Sequence, residues 1–260
     1  MTLSWGNKRK LLYGSVAIVI LLALAFWLGF TAFSKPPSCL DGKQNQGETG
    51  VDCGGPCSHI CAVNARAPLV LWQRAFLSGP QTYTAVAYVQ NPNAALGAGS
   101  YRVPYAFRLY DTNNLLITEK DGSIDIPPQQ MVPIIETNIF VGNRPFGSVD
   151  FAFSDANIAW IKIPAGSLPQ TRITNLRLQD DGSAVTATVV NDGTIAAREL
   201  AVTAVLFGSD GNALAASKSV LSQIPAGGSQ RVDFTWTPGI PNVIQAVLTP
   251  IPALPPLPAQ

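Results

Sequence analysis

Between Leu11 and Phe33 the chain runs for 23 residues without a charge, and a run of that kind has few ways to fold. At a helical rise of about 1.5 Å per residue it reaches roughly 35 Å, enough to cross a hydrocarbon core about 30 Å thick with some tilt. Lys8, Arg9 and Lys10 stand before it and only Lys35 follows closely. The positive-inside bias then orients the N-terminus to the cytoplasm and everything from about Ser34 outward. A cleaved signal peptide is the competing reading, but its apolar region spans about 7 to 15 residues and ends at a small-x-small site. Thr31-Ala32-Phe33-Ser34-Lys35 matches such a site poorly. The sequence therefore predicts an uncleaved anchor over 11–33 behind a cytoplasmic stub at 1–10, with the membrane as its first partner.

Beyond the anchor, charge is sparse. Charged residues make up 13% of the chain and the formal net charge is +1, so no excess of either sign draws nucleic acid, and none is expected as a partner. The 22 Gly and 21 Pro separate segments rich in Val, Ile, Thr, Ala and aromatic residues, the texture of short strands joined by turns. All four cysteines, Cys39, Cys53, Cys57 and Cys61, fall in one short stretch. On the outer side of a membrane, disulfides are their expected state, and three pairings are open.

The segment 34–62, read as a stalk, is too polar to fold by burial. Disulfides over such short loops stabilise by about 2 to 4 kcal/mol each. Asp41, Asn45, Glu48 and Asp52 also space oxygen ligands over twelve residues, with Gly42, Gly47 and Gly50 to turn the backbone. A hard cation such as calcium suits oxygens of this type. The match to an EF-hand loop is weak, with Lys43 third, Gln46 sixth and Asp52 twelfth. The alternative is that these are turn-forming residues on a disulfide-stapled loop. Zinc on Cys53, Cys57, His59 and Cys61 is disfavoured by the spacing and by an oxidising compartment. In the order Cys39, Asp41, Gly42, Asn45, Glu48, Thr49, Asp52, Cys53, Gly54, Gly55, Cys57 the segment resembles a short Cys-rich module of secreted and surface-anchored bacterial proteins. The resemblance implies an extracytoplasmic location and a non-catalytic spacer or ion-stabilised stalk.

From Pro68 onward the pattern is apolar and polar alternation over strand lengths, with no helical periodicity. Seven runs are expected in a first unit, 66–165: 69–77, 82–90, 102–111, 115–120, 131–140, 148–153 and 158–163. Six are expected in a second, 170–250: 172–179, 184–190, 199–207, 213–221, 229–236 and 243–249. The units align with each other. Tyr83–Val89 answers to Ala184–Val190, Leu109-Tyr110 to Leu206-Phe207, and Ile126-Pro127 to Ile224-Pro225. A tandem duplication follows, with its boundary near 164–171. The expected fold is an all-β exterior of tandem immunoglobulin-like β-sandwiches behind one transmembrane helix and a disulfide-stapled loop. The tail, 251–260, carries too much proline for a central strand and is expected as polyproline II or unstructured chain.

At Phe107-Arg108-Leu109-Tyr110-Asp111, with Asn91, Asn114 and Ile126-Pro127-Pro128 around it, the first unit resembles the bacterial envelope β-sandwich domains named for a Phe-x-Leu-Tyr-Asp signature, and the related LEA type 2 domains. Ala204-Val205-Leu206-Phe207-Gly208 keeps only the Leu-aromatic core of that signature. The residues read as structural: Phe107, Leu109 and Asp111 on one side of a strand, Tyr110 on the other, with Asp111 capping a turn.

No enzyme is expected. His59 is the sole histidine, and Asp180-Asp181 has no companion base. The leading expectation is a single-pass envelope protein presenting two sandwiches to an envelope protein or to the cell wall, with edge-strand pairing as one mode. The alternative is an accessory subunit of a secretion, pilus or division complex, whose helix packs through Gly14, Ser15, Ala23, Ala25 and Gly29.

Overall fold

The structure is a computed structural model that describes residues 5–33, 38–154 and 158–257. The expectations touching Ser34, Lys35 and the last three residues of the tail lie outside them. The chain divides into two compact units, Met1–Cys57 and Ser58–Gln260, so both expected β units fall within the second.

In the first unit, helix α1 spans Trp5–Phe33. It begins before the apolar run and takes Arg9 and Lys10 into its first turns, with the Arg9 guanidinium 4.0 Å from the Trp5 ring centroid. None of Leu12–Gly29 is buried, and the helix is long and apolar enough to cross a membrane. An apolar surface of this size left in water would cost free energy roughly in proportion to its area. Residues 38–57 follow as turns and bends.

Among its described residues the second unit is built of strands, with one short 3-10 helix at Ala94–Leu96. Its strands are β1 (Leu69–Gly79), β2 (Thr82–Gln90), β3 (Ala98–Asp111), β4 (Leu116–Ile126), β5 (Met131–Phe140), β6 (Phe146–Phe153), β7 (Ile161–Lys162), β8 (Thr171–Leu178), β9 (Ala184–Asn191), β10 (Ala197–Gly208), β11 (Ala213–Ile224), β12 (Ser229–Thr235) and β13 (Val243–Ile251). Two sheets form from the first half, β1-β2-β5 and β4-β3-β6, with the short β7 against the start of β3. Two more form from the second half, β8-β9-β12 and β11-β10-β13. Strand for strand, β1 to β6 and β8 to β13 pair in the same order, and every pairing is antiparallel.

Burial sharpens this equivalence. Ala85, Ala87 and Val89 of β2 join Phe107, Leu109 and Phe151 in the first core. Val185, Ala187 and Val189 of β9 join Ala204, Leu206 and Phe234 in the second. The matching residues are therefore Ala85 with Val185 and the buried Asn91 with Asn191. This corrects the sequence alignment of β2 with β9 by one residue. In a strand a one-residue slip exchanges the two faces, and both faces here mix Ala, Val and Thr, with one Tyr on each face of β2, so composition does not register the slip. The β3 and β10 alignment holds, and each strand kinks at an equivalent non-glycine residue of positive φ, Arg102 at 49° and Glu199 at 47°. At Arg102 the register also shifts, the mark of a β-bulge, whereas across Glu199 it is kept.

The last strand runs two residues past its expected end at 249, into the first residue of the tail, and 252–257 carry neither helix nor strand. Strand β13 continues through Pro250 to Ile251, pairing Pro250 with Val202 and Ile251 with Ala201. It lies at the edge of its sheet, where a residue lacking an N–H is tolerated. Beyond it, the Tyr101 hydroxyl donates to the Pro255 carbonyl at 2.7 Å.

Candidate functional site

Two places collect the residues that bear on function: the Cys-rich loop and the seam between the halves of the β unit. In the loop, Cys39 bonds to Cys57 with a Cα–Cα distance of 5.7 Å. Cys53 and Cys61 are disulfide-bonded as well, and no cysteine is free. Oxidised sulfur is not a thiolate ligand, so these cysteines offer no zinc site.

The four oxygen-bearing residues act on the backbone. Asp52 accepts the Gly42 N–H on both oxygens, at 3.1 and 3.0 Å. Asp41 accepts Lys43 N–H at 2.9 Å and the Asn45 amide at 2.7 Å. That amide, followed by the backbone N–H groups, holds the Asp41 carboxyl below the usual carboxylate range. Glu48, 6% exposed, accepts the N–H groups of Asn45 and Asp52, each at 3.3 Å. Its other oxygen lies 3.0 Å from Cys57 Sγ, a disulfide sulfur with no proton to give. The side chains of Asp41, Glu48 and Asp52 do not converge to within 4.8 Å of one another. Among the described residues, the one group of His, Cys, Asp or Glu that does is Cys39, Glu48 and Cys57. Among those same residues, only the Asn45 Oδ1 atom is fully buried without a partner. The loop thus has a polar core in which carboxylates cap turns that carry no apolar support.

Sequence reading did not find the seam. Val86 of β2 and Ile135 of β5 turn away from the first core and meet Val205, Ala213 and Ala216 of the second half, with Trp72, Phe76 and Phe207 packed around them. The Trp72 ring stacks on Tyr88 at 5.1 Å and meets Phe207 edge-on at 6.3 Å. Polar clasps flank the contact: Arg74 donates to Asn212 and to the Ala213 carbonyl, and Lys218 Nζ donates to the Ile135 carbonyl at 3.1 Å. A further cluster joins Ala98, Val103, Ile126, Val132 and Trp160 of the first half to Ile251 at the end of the second. The sheets therefore stack in four layers, in the order β4-β3-β6, β1-β2-β5, β11-β10-β13, β8-β9-β12. The run of four buried residues from Thr84 to Ala87 is the signal that a strand is covered on both faces.

The signature residues hold structural posts. Phe107 and Leu109 are fully buried. Asp111 Oδ1 accepts the N–H groups of Asn113 and Leu115, each at 2.9 Å, and Oδ2 pairs with Arg144 at 2.5 Å. The Arg144 guanidinium, ahead of the Leu115 amide, holds the Asp111 carboxyl below its ordinary range. Asp181 likewise caps a turn at Ser183 N–H, 2.9 Å away.

Against family models and curated proteins the chain finds no match. Among solved structures it is similar to red sea bream transglutaminase, 13% identical over 71% of this chain and 29% of that one, with a TM-score of 0.22. It is similar to a β-glucuronidase of Bacteroides uniformis, 13% identical over 62% and 22%, TM-score 0.20. A tandem CBM22 segment of Paenibacillus barcinonensis Xyn10C is 10% identical over 75% and 93%, TM-score 0.16. The chain spans less than a third of the length of the first two. Likeness this faint carries neither family nor activity across.

Proposed function

We propose that the chain is a non-enzymatic, single-pass envelope protein with its N-terminus in the cytoplasm. Its β unit would be a pair of immunoglobulin-like sandwiches of the Phe-x-Leu-Tyr-Asp type, held out as one stiff body to an envelope protein or the cell wall. The observation that carries this reading is the seam. Val86, Ile135 and Val205 are at most 2% exposed, so the halves share a dry contact and move as a block, which suits a spacer that fixes a distance. The bare apolar helix supports an anchor, and the disulfide-bonded loop after it supports an oxidising compartment. The carboxylates of Asp111 and Asp181 are engaged as turn caps, and His59 lies in a backbone bridge to Ile161, an arrangement that supplies no nucleophile and base pair.

Crosslinking in intact cells, followed by affinity recovery of the full chain, tests the reading. Recovery of an envelope protein or wall fragment through the β unit is the expected result. Protease cleavage of the β unit from the cytoplasmic face would overturn the orientation. The accessory-subunit reading draws on Gly14 and Gly29, where nothing lies within 4 Å of the position a Cβ would take. It gains if partners are recovered through the helix alone.

A further inference from the structure

Where the sheets of the seam diverge they leave a cleft of about 620 Å³, within the range of pockets that enclose small ligands. The β1–β2 hairpin and β5 form one wall, and β11 with the turn after β12 forms the other. Its lining contains no charged side chain. Aromatic surface comes from Phe76 and Trp236. Trp236 is steadied by Phe234, with ring centroids 6.4 Å apart. Hydroxyls come from Ser78, Thr84 and Thr137.

Thr84 is the telling residue. It is 5% exposed, and alternation along β2 turns it with Val86 toward the second half, away from Ala85 and the first core. Its neighbour Val86 closes onto Val205 in the seam, whereas Thr84 faces the cleft. Among the described residues its hydroxyl has no hydrogen-bond partner. What little of the residue is exposed includes this hydroxyl, since it is not among the fully buried unpartnered atoms, so it stands open to the cleft and free to donate to or accept from a ligand there. A valine would keep the strand and remove only that group.

The geometry points to a binding site for a neutral saccharide. A pyranose offers an apolar C–H face for an aromatic wall and hydroxyls that both donate and accept, and it brings no charge needing a counterion. An anionic sugar would enter a wall without a cation and lose its hydration uncompensated. This deepens the interaction-surface reading above and rests on it, since it names the chemistry one part of that surface would take.

The test uses the full chain in detergent micelles, titrated with N-acetylglucosamine, glucose and galactose trisaccharides, a glucuronate-containing trisaccharide, and a neutral proline-rich peptide. Binding is read by ligand-observed NMR. The expected result is that at least one neutral trisaccharide binds and the glucuronate sugar does not. Thr84→Val should weaken that binding about tenfold, the scale of one lost hydrogen bond to a ligand in a closed site. Because Thr84→Val conserves volume, its melting temperature should be kept or raised. Trp236→Phe supplies a second variant that retains an aromatic ring and should also weaken binding. Absence of binding by all neutral trisaccharides at about 10 mM, beyond the affinity of useful recognition, overturns the site. So does binding that both variants leave unchanged, or binding of the peptide alone. Crosslinked recovery of an envelope partner would survive that failure, so the two readings fall separately.

Discussion

The side-chain amide of Asn91 donates to the carbonyl of Pro127 at 3.0 Å, and across the seam Asn191 does the same to Pro225 at 3.1 Å. Each asparagine sits beside the end of its strand and pins the Ile-Pro turn that closes another. Each also uses its oxygen on a nearby backbone N–H, Asn93 in one case and Gly193 in the other. Both residues are at most 1% exposed. The two halves thus carry the same internal clasp at equivalent positions.

Asn91→Ala should lower the unfolding free energy by about 2 to 3 kcal/mol, because it strands buried backbone groups that water does not reach. Asn191→Ala should cost a similar amount. Denaturant unfolding measures both, and a loss under about 0.5 kcal/mol in either would remove the clasp from any account of stability.

A charge placed in the seam should uncouple the halves. Val205→Asp buries an unpaired carboxylate and should cost about 3 kcal/mol or more. The β unit of the parent protein should unfold in one transition reported alike by fluorescence and by hydrogen exchange in both halves. The variant should show two. Coincident transitions in the variant would mean that the seam does not couple them.

Tyr105 gives the β unit an alkaline limit. Its hydroxyl donates to Glu136 at 2.6 Å, and burial, then that bond, pushes its pKa well above the ordinary value. The folded pKa is raised, so the contribution is fully present below the unfolded value near 10 and is lost as pH rises from there toward the folded pKa. Stability should fall with a slope of about 1.4 kcal/mol per pH unit above pH 10. In Tyr105→Phe that part of the slope should vanish, with a cost at neutral pH of about 1 kcal/mol for the lost bond. Unfolding curves at a series of alkaline pH values decide it.

The Cys-rich loop should keep its order without a cation, since its carboxylates are already engaged by Gly42, Lys43, Asn45 and Asp52. Amide exchange at Asn45 and Asp52 should be unchanged by chelator and accelerated by Glu48→Ala. Faster exchange in chelator alone would restore calcium to the loop.

How much of this was legible beforehand depends on whether neighbours in sequence or neighbours in space decide. The N-terminal apolar helix and the strands are local matters, and uncharged length and alternation reveal them directly. Val86 is not local: alternation says that it faces away from Ala85, but only a second sheet says that this face is also covered. Pro250 misled for a related reason, because its place in a strand depends on which edge lacks a neighbour. The oxygen spacing from Asp41 to Asp52 was visible, yet whether those oxygens face inward to an ion or back to the chain is set by turns that sequence spacing does not specify.

The four-layer stack also limits its own growth. The pairing of β1-β2-β5 with β11-β10-β13 uses an apolar face from each half. The outward strands carry charge instead, Arg108 with Glu119 on one side and Arg231 with Asp233 on the other. A third block laid on either outer sheet would have to desolvate those ions. The face that joins the halves is therefore apolar, while the faces left outside resist the same kind of contact.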